Sequence, residues 1–327
     1  MKRKGLTITE MLVSLALILF IMAILSEAFV SGLGSFRQLR AIGDMDQKLR
    51  AAAVILRNDL RADHFNAPPL KLSTISISPP PTNGFFWIAA PPVAPDGVDS
   101  EGIPSYIANN HALHFSVNLG AGEHIDTARL KRPENYFVAV VPGNLAARSP
   151  IQFRDGSTYR SQHAEVAYFL RPNGWNANGT PLYALYRKQA VLLEEEDAKF
   201  MNSLGLPGGA WPQYFDVSCK DEGGTLHFHT IEDVANPNER SLTWPTPFRI
   251  FSERGENPNL RGADILLTDV IGFTVRVFPD KGSDFQFIPN YDTGNSPPFP
   301  IRAIEITLRV WDMITEQSRQ ITIIQDM

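Results

Sequence analysis

An apolar stretch near the N-terminus constrains the fold of this chain more than any other feature. Residues 11–25 are apolar except for Ser14, and the basic residues 2–4 precede them. A basic flank before an apolar stretch is typical of a segment that enters a membrane with its basic end in the cytoplasm. The stretch extends to Val30, and no good small-x-small cleavage site follows it. The sequence therefore predicts a helix that the mature chain keeps, rather than a secretory signal that is removed.

A short motif lies immediately before the apolar stretch. Residues 4–10 have the sequence KGLTITE, which resembles the type III signal of type IV pilins and type II secretion pseudopilins. In that family a prepilin peptidase cuts after the glycine and methylates the new N-terminus. The resemblance implies cleavage between Gly5 and Leu6, N-methylation of Leu6, and a leader of residues 1–5. Glu10 becomes the fifth residue of the mature chain, where the family places its glutamate, although most members have phenylalanine in place of Leu6.

Glu10 also has a physical interpretation. A carboxylate within a membrane helix costs about 2.5–3.5 kcal/mol at the bilayer centre on insertion scales, so it favours a cationic partner. The amine of Leu6 lies one helical turn away, and the amine of a neighbouring subunit would set the axial register of a filament. The alternative is an interfacial residue at the start of a simple anchor, which is how we interpret Glu27 at the opposite face.

The helical pattern continues beyond the membrane segment. From Phe36 to Leu60 apolar residues recur at helical spacing between charged ones, which predicts an amphipathic continuation over residues 31–62. Residues 6–61 would form a helix of about 84 Å at 1.5 Å per residue. Gly32 and Gly34 are expected to soften or melt it, since glycine costs about 1 kcal/mol against alanine in a helix.

The remaining residues, 63–327, predict a β-rich head with long loops. Period-two alternation is typical of half-buried antiparallel strands. The predicted fold class is α+β and pilin-like, with one long N-terminal helix, whose residues 6–30 cross the membrane, packed on an antiparallel sheet. A proline-rich connection follows the helix and contains one predicted strand. Strands are predicted at residues 85–90, 111–119, 136–141, 165–170, 182–187, 226–230, 273–277, 304–310 and 321–323.

Three segments resemble the J-type minor pseudopilin of type II secretion. The first, LRNDL at 56–60, has an arginine and an aspartate late in the long helix. The second joins VAYFL at 166–170 to LYR at 185–187, and the third joins LTDVIGF at 267–273 to PIRAIEI at 300–306. This chain is longer than the usual J-type protein, with the excess in the proline-rich segment and in residues 194–239.

No catalytic or metal motif emerges from the sequence. His227 and His229 share one face of a predicted strand, but no further ligand stands at zinc-like spacing, so a satisfied or exposed pair is expected. His111 and His114 fall on opposite faces. The acidic run 194–197 lacks the alternating oxygen ligands and glycine of a calcium loop and predicts a solvated helix start. The one cysteine, Cys219, excludes a disulfide within the chain. We therefore expect no enzyme activity, no cofactor and no metal.

The resemblance implies a non-catalytic minor pseudopilin near the tip of a periplasmic pseudopilus, which helps to initiate assembly and protein export. Its expected partners are the prepilin peptidase, the other minor and major pseudopilins and the inner-membrane assembly platform. The location implied is the bacterial inner membrane, crossed once, with the head in the periplasm. The alternative is a minor type IV pilin or membrane-anchored binding module for adhesion or DNA uptake. A net charge of −5 disfavours nucleic acid as a partner.

Overall fold

One long helix dominates the N-terminal part of the computed structural model. The structure describes residues 8–66, 70–75, 79–98, 102, 104–119, 136–148, 158–175, 179–240, 263–295, 299–313 and 315–327. Helix α1 (Ile8–Arg61) runs without a break through Gly32 and Gly34, so the predicted melting there is wrong. No atom lies within 4 Å of the position of a Cβ at either glycine. Two isolated glycine costs of about 1 kcal/mol do not outweigh the cooperative hydrogen bonding of the surrounding turns.

The head contains β-strands and two short helices. The helices are α2 (Gly143–Ala146) and α3 (Glu195–Ser203). The strands are β1 (Phe86–Ala89), β2 (Gly97–Val98), β3 (Pro104–Ser105), β4 (Ala112–Asn118), β5 (Phe137–Val140), β6 (Thr158–Ser161), β7 (His163–Trp175), β8 (Pro181–Val191), β9 (Cys219–Glu222), β10 (Thr225–Phe228), β11 (Ala263–Pro279), β12 (Tyr291–Asp292), β13 (Ile301–Asp312) and β14 (Gln317–Asp326).

Eight of these strands form one antiparallel sheet in the order β12-β1-β4-β7-β8-β11-β13-β14. The predicted antiparallel head and all nine predicted strands are confirmed, with two corrections. Five strands are longer than predicted, and β10 ends before His229; the longer strands are β7, β8, β11, β13 and β14. The proline-rich connection also contains part of a short hairpin, β2-β3, that the sequence did not predict. The chain is thus one long helix followed by an α+β head.

The second half of α1 packs on the face of the sheet formed by β11, β13 and β14. The helix residues Phe36 and Leu39, which continue the apolar pattern, are 72% and 66% exposed, so the head begins to cover α1 only beyond them. The opposing strands contribute alternate residues such as Phe273, Ile306 and Ile323, all fully buried. The buried helix residues are Met45, Leu49, Ala52, Ala53, Leu56 and Leu60.

The segment LTDVIGF holds the chain just after the proline-rich connection against the sheet. Asp269 has a φ of +58° at an irregularity where β11 shifts register with both of its neighbours. At Gly272 a Cβ would lie 2.3 Å from the carbonyl oxygen of Tyr106. The Phe273 amide then donates to the carbonyl of Ala108 at 3.0 Å. Only glycine permits this close approach of two backbones.

Candidate assembly interface

The first half of α1 is an exposed apolar rod. Its large apolar side chains, from Ile8 at 80% to Leu33 at 42%, remain accessible, and the most apolar 18-residue window has no buried residue. Among the described residues, α1 is the one helix long and apolar enough to span a membrane. Exposed apolar surface on this scale indicates a membrane or a protein partner. The helix therefore has two functional parts: an exposed apolar half and a half fixed to the head.

The predicted processing site immediately precedes this rod in the sequence. Gly5 and Leu6 lie outside the described residues, so the predicted cleavage and methylation remain predictions. Glu10 lies in the first turn of α1 and is exposed. A carboxylate there is placed favourably for the positive end of the helix dipole. Glu27 lies about five turns further along, on the same exposed half.

An ionic cluster fixes the second half of α1 to the sheet. Asp59 Oδ2 accepts a hydrogen bond from Arg187 Nε at 2.6 Å, and Asp59 Oδ1 accepts one from Arg187 Nη2 at 3.1 Å. Tyr168 on β7 donates its hydroxyl to Asp59 Oδ2 at 2.5 Å, and Gln189 Oε1 accepts from Arg187 Nη2 at 3.1 Å. The side chains of Asp59 and Arg187 are only 12% and 13% exposed. This is a bidentate carboxylate–guanidinium pair whose two members make further hydrogen bonds, to Tyr168 and to Gln189. Such geometry makes a buried ion pair favourable.

The electrostatics of this cluster keep it charged. Burial alone would lower the pKa of Arg187, but the hydrogen bonds and the charge of Asp59 outweigh it and raise that pKa above its usual value. Burial also raises the pKa of Tyr168, and the negative charge of Asp59 raises it further. Tyr168 is therefore a neutral donor and Arg187 a permanent cation over the whole physiological range.

The cluster joins two of the segments that carry the J-type resemblance. Asp59 belongs to LRNDL, Tyr168 to VAYFL and Arg187 to LYR. The sequence analysis did not predict that these residues meet, because 109 and 128 residues separate Asp59 from its two partners. The sequence contained only a weak signal for this contact: a carboxylate, a tyrosine and an arginine, each next to positions predicted to be buried.

The opposite face of the sheet carries a second group of buried charges. His114 Nε2 lies 2.9 Å from Glu165 Oε2, and both side chains are almost fully buried. Arg240 donates two hydrogen bonds of 2.9 Å to Asp292, while its guanidinium lies 3.8 Å from the centre of the Phe85 ring. Burial lowers the pKa of His114, against the opposing effect of Glu165. These buried pairs order the head.

The predicted metal candidates have protein partners. His227 lies on β10 and His229 just beyond it, with ring centroids 5.6 Å apart. His229 is buried: its Nδ1 lies 2.9 Å from the hydroxyl of Ser218, while its Nε2 has no hydrogen-bond partner among the described residues, so the histidine is only half satisfied. Within the described part of the chain, no group of three or more His, Cys, Asp or Glu residues could hold a metal ion.

The acidic run 194–197 begins α3, as predicted, but it is not wholly solvated. Glu195 is exposed and pairs with Lys199 across one turn. Asp197 is buried: it accepts hydrogen bonds from Arg148 at 3.0 Å and from the Tyr159 hydroxyl at 2.8 Å. Asp197 therefore ties α3 to the neighbouring β6 and α2 region instead of facing solvent.

His111 makes the stability of the head pH-dependent. Its Nδ1 accepts a hydrogen bond from the Val275 amide at 3.0 Å, while its Nε2 donates to the Pro91 carbonyl at 2.9 Å. Burial lowers the pKa of His111 to about 4, and protonation of Nδ1 would break the bond to Val275. The unfolded chain, with a histidine pKa of about 6.5, therefore binds more protons than the folded chain between pH 6.5 and 4. His111 stabilises the head fully above that range and progressively less as the pH falls through it.

We expect His111→Asn to reduce the pH dependence of stability. The amide oxygen can still accept from Val275, but the titrating group is gone. The slope of the free energy of unfolding against pH should fall by up to about 1.4 kcal/mol per pH unit near pH 5. Urea unfolding of both proteins between pH 4.5 and 7.5 measures this slope, and equal slopes would show that His111 does not titrate in this range.

Comparison with known proteins identifies no relative. No family model matches this chain, and neither a curated protein nor a solved structure matches it.

Proposed function

We propose that this chain is a minor pseudopilin of a type II secretion-like system: a non-catalytic subunit at or near the tip of a periplasmic pseudopilus. In this proposal the peptidase removes residues 1–5, residues 6–30 cross the inner membrane and later enter the filament core, and the head lies in the periplasm. The observation that supports it best is the unbroken α1, apolar and exposed in its first half and fixed to the head in its second.

The Asp59 cluster gives α1 its mechanical role. A subunit drawn out of a membrane by its helix must transmit axial force to the head. Packing of apolar side chains alone resists sliding weakly, because it is non-directional. The bidentate bonds of Asp59 to Arg187 and the bond from Tyr168 have fixed directions and join α1 to the two central strands β7 and β8. The head would therefore move with the helix as one body.

Processing provides the direct test of this function. We expect Gly5→Leu to leave a full-length precursor in the membrane, since the proposed peptidase requires a small residue before the cleaved bond. The unchanged chain should begin at Leu6 and carry a methylated amine. Intact mass and N-terminal sequencing of both proteins, purified from cells that contain a prepilin peptidase, distinguish the two states. A mature chain that starts beyond Gly32 would establish an ordinary signal peptide and overturn the proposal.

A further inference from the structure

The last strand of the head forms a long edge of the main sheet. β14 pairs with β13 over Gln317–Asp326 without a register shift, and the Met327 amide continues the ladder by donating to Arg302 at 3.0 Å. On its other side β14 meets no strand among the residues that the structure describes. An edge of ten residues presents a row of backbone donors and acceptors to which another strand can pair.

The register shows which backbone groups face outward. Residues that exchange both hydrogen bonds with a neighbouring antiparallel strand alternate with residues whose N–H and C=O point away. Met327 is hydrogen-bonded to Arg302, so every second residue before it on β14 also bonds to β13. Gln325 and Ile323, opposite Ile304 and Ile306, therefore direct their backbone groups towards β13. The outward class is therefore Ser318, Gln320, Thr322, Ile324 and Asp326.

This edge has little of the usual protection against strand pairing. Natural edges carry charged residues, especially lysine, or a proline or a bulge; β14 has no lysine or proline and no register shift, and its only charged residues are Arg319 and Asp326. Ile324, one of the outward residues, is 55% exposed. At the other end of the sheet, β12 has only two residues, and Asp292 on it is held by Arg240. Among the described residues, the sheet thus ends in a ten-residue strand at one edge and a two-residue strand at the other.

We propose that β14 accepts one extended strand from the head of a different subunit. The inference rests on the proposed function, because that function places every α1 in the same membrane. Two identical edge strands related by a two-fold axis run antiparallel. The helix α1 packs along β14, and Arg61 donates to the side chain of Gln325 at 3.3 Å. The same two-fold rotation would therefore reverse the direction of α1. The two apolar halves would then point in opposite directions. Head-to-tail pairing of identical copies would use β12, which is too short.

The side chains of β14 indicate which residues the partner strand would carry opposite them. Arg319 is the one basic side chain on the strand and favours an acidic residue opposite it, while Ile324 favours an apolar one. Because α1 lies beside this edge, the added strand would come from a subunit whose helix is adjacent in the same bundle. A single long edge accepts one added strand, so the sheet would not extend from copy to copy. This suits a subunit present in few copies.

Hydrogen exchange of the isolated full chain in detergent micelles tests the openness of the edge. We expect the amides of Ser318, Thr322 and Ile324 to exchange at least 100-fold faster than those of Ile321 and Ile323. Slow exchange in both sets would mean that the chain covers its own edge, and would overturn the proposal.

Photocrosslinking in native membranes tests the occupant. The probe is benzoylphenylalanine in place of Asp326 in the full chain, alone or combined with Ile324→Pro or Ile324→Thr. Proline removes an outward donor and adds bulk on the partner's side, whereas threonine keeps the donor. We expect an adduct to a strand of a different protein, with a yield at least tenfold lower for the proline variant and retained for the threonine variant.

Three results would overturn the proposal: an adduct of two identical copies, equal yields in the two variants, or no adduct in the parent chain. Urea unfolding of the Ile324→Pro chain serves as the control that this variant is folded. Cleavage after Gly5 is followed in the same samples, because a cleaved chain without an adduct contradicts the edge proposal alone, whereas an uncleaved chain contradicts the proposed function.

Discussion

Asp59→Ala is expected to lower the free energy of unfolding of the head by about 3–5 kcal/mol, the usual cost of leaving one partner of a buried ion pair uncompensated. The substitution leaves Arg187 buried with only Gln189 as an acceptor, and leaves the Tyr168 hydroxyl without the carboxylate. Asp59→Ala combined with Arg187→Met should lose less than Asp59→Ala alone, because no buried charge remains. Urea unfolding of the full chain in detergent micelles, followed by tryptophan fluorescence, measures both.

The same helix provides the matched control. Asp44 lies 3.9 Å from Arg40, and the two side chains are 61% and 85% exposed. Exposed pairs of this kind contribute at most about 0.5 kcal/mol, so Asp44→Ala should unfold almost like the unchanged chain. If Asp59→Ala were no more destabilising than Asp44→Ala, the cluster would not join the helix to the sheet.

The parts of the fold that the sequence predicted well are those set by local periodicity. Alternation at Phe273, Val275 and Val277 placed β11, and the apolar run from residue 11 placed the exposed half of α1. Gly32 and Gly34 misled the prediction, because a single-residue propensity is small beside the hydrogen bonds of a 54-residue helix.

The contacts that define the candidate interface could not be predicted from the sequence. Asp59 lies two residues from Arg57 and from Arg61, a spacing at which helical side chains do not face each other, and its partners lie instead on β7 and β8. Glu165 begins the predicted strand 165–170, and a glutamate is seldom fully buried, which favours a solvated position. Other parts of the head cover that position, so Glu165 is fully buried. The partners of Asp59 and the burial of Glu165 both depend on which distant segments come into contact. The spacing of residues in a single sequence does not carry that information.

Glu10→Gln is expected to separate insertion from assembly. The amide keeps the size of the side chain and removes a charge that is unfavourable in a membrane, so cleavage after Gly5 and membrane insertion should be unchanged. In the proposed filament Glu10 pairs with the methylated amine of a neighbouring subunit, in a groove of low dielectric constant. The substitution leaves that amine unpaired, at a cost of several kcal/mol.

A loss of this size corresponds to at least about a 100-fold weaker association. Pull-down of the full chain from membranes, with site-specific crosslinking to the co-assembled subunits, would detect it, whereas an isolated head could still bind partners through its own surface. Glu27→Gln is the matched control: it is the same chemical change on the same exposed half of α1, and as an interfacial residue it should leave assembly intact. If Glu10→Gln also assembled at the level of the unchanged chain, Glu10 would have no role in register, and the protein would be better described as a membrane-anchored binding module.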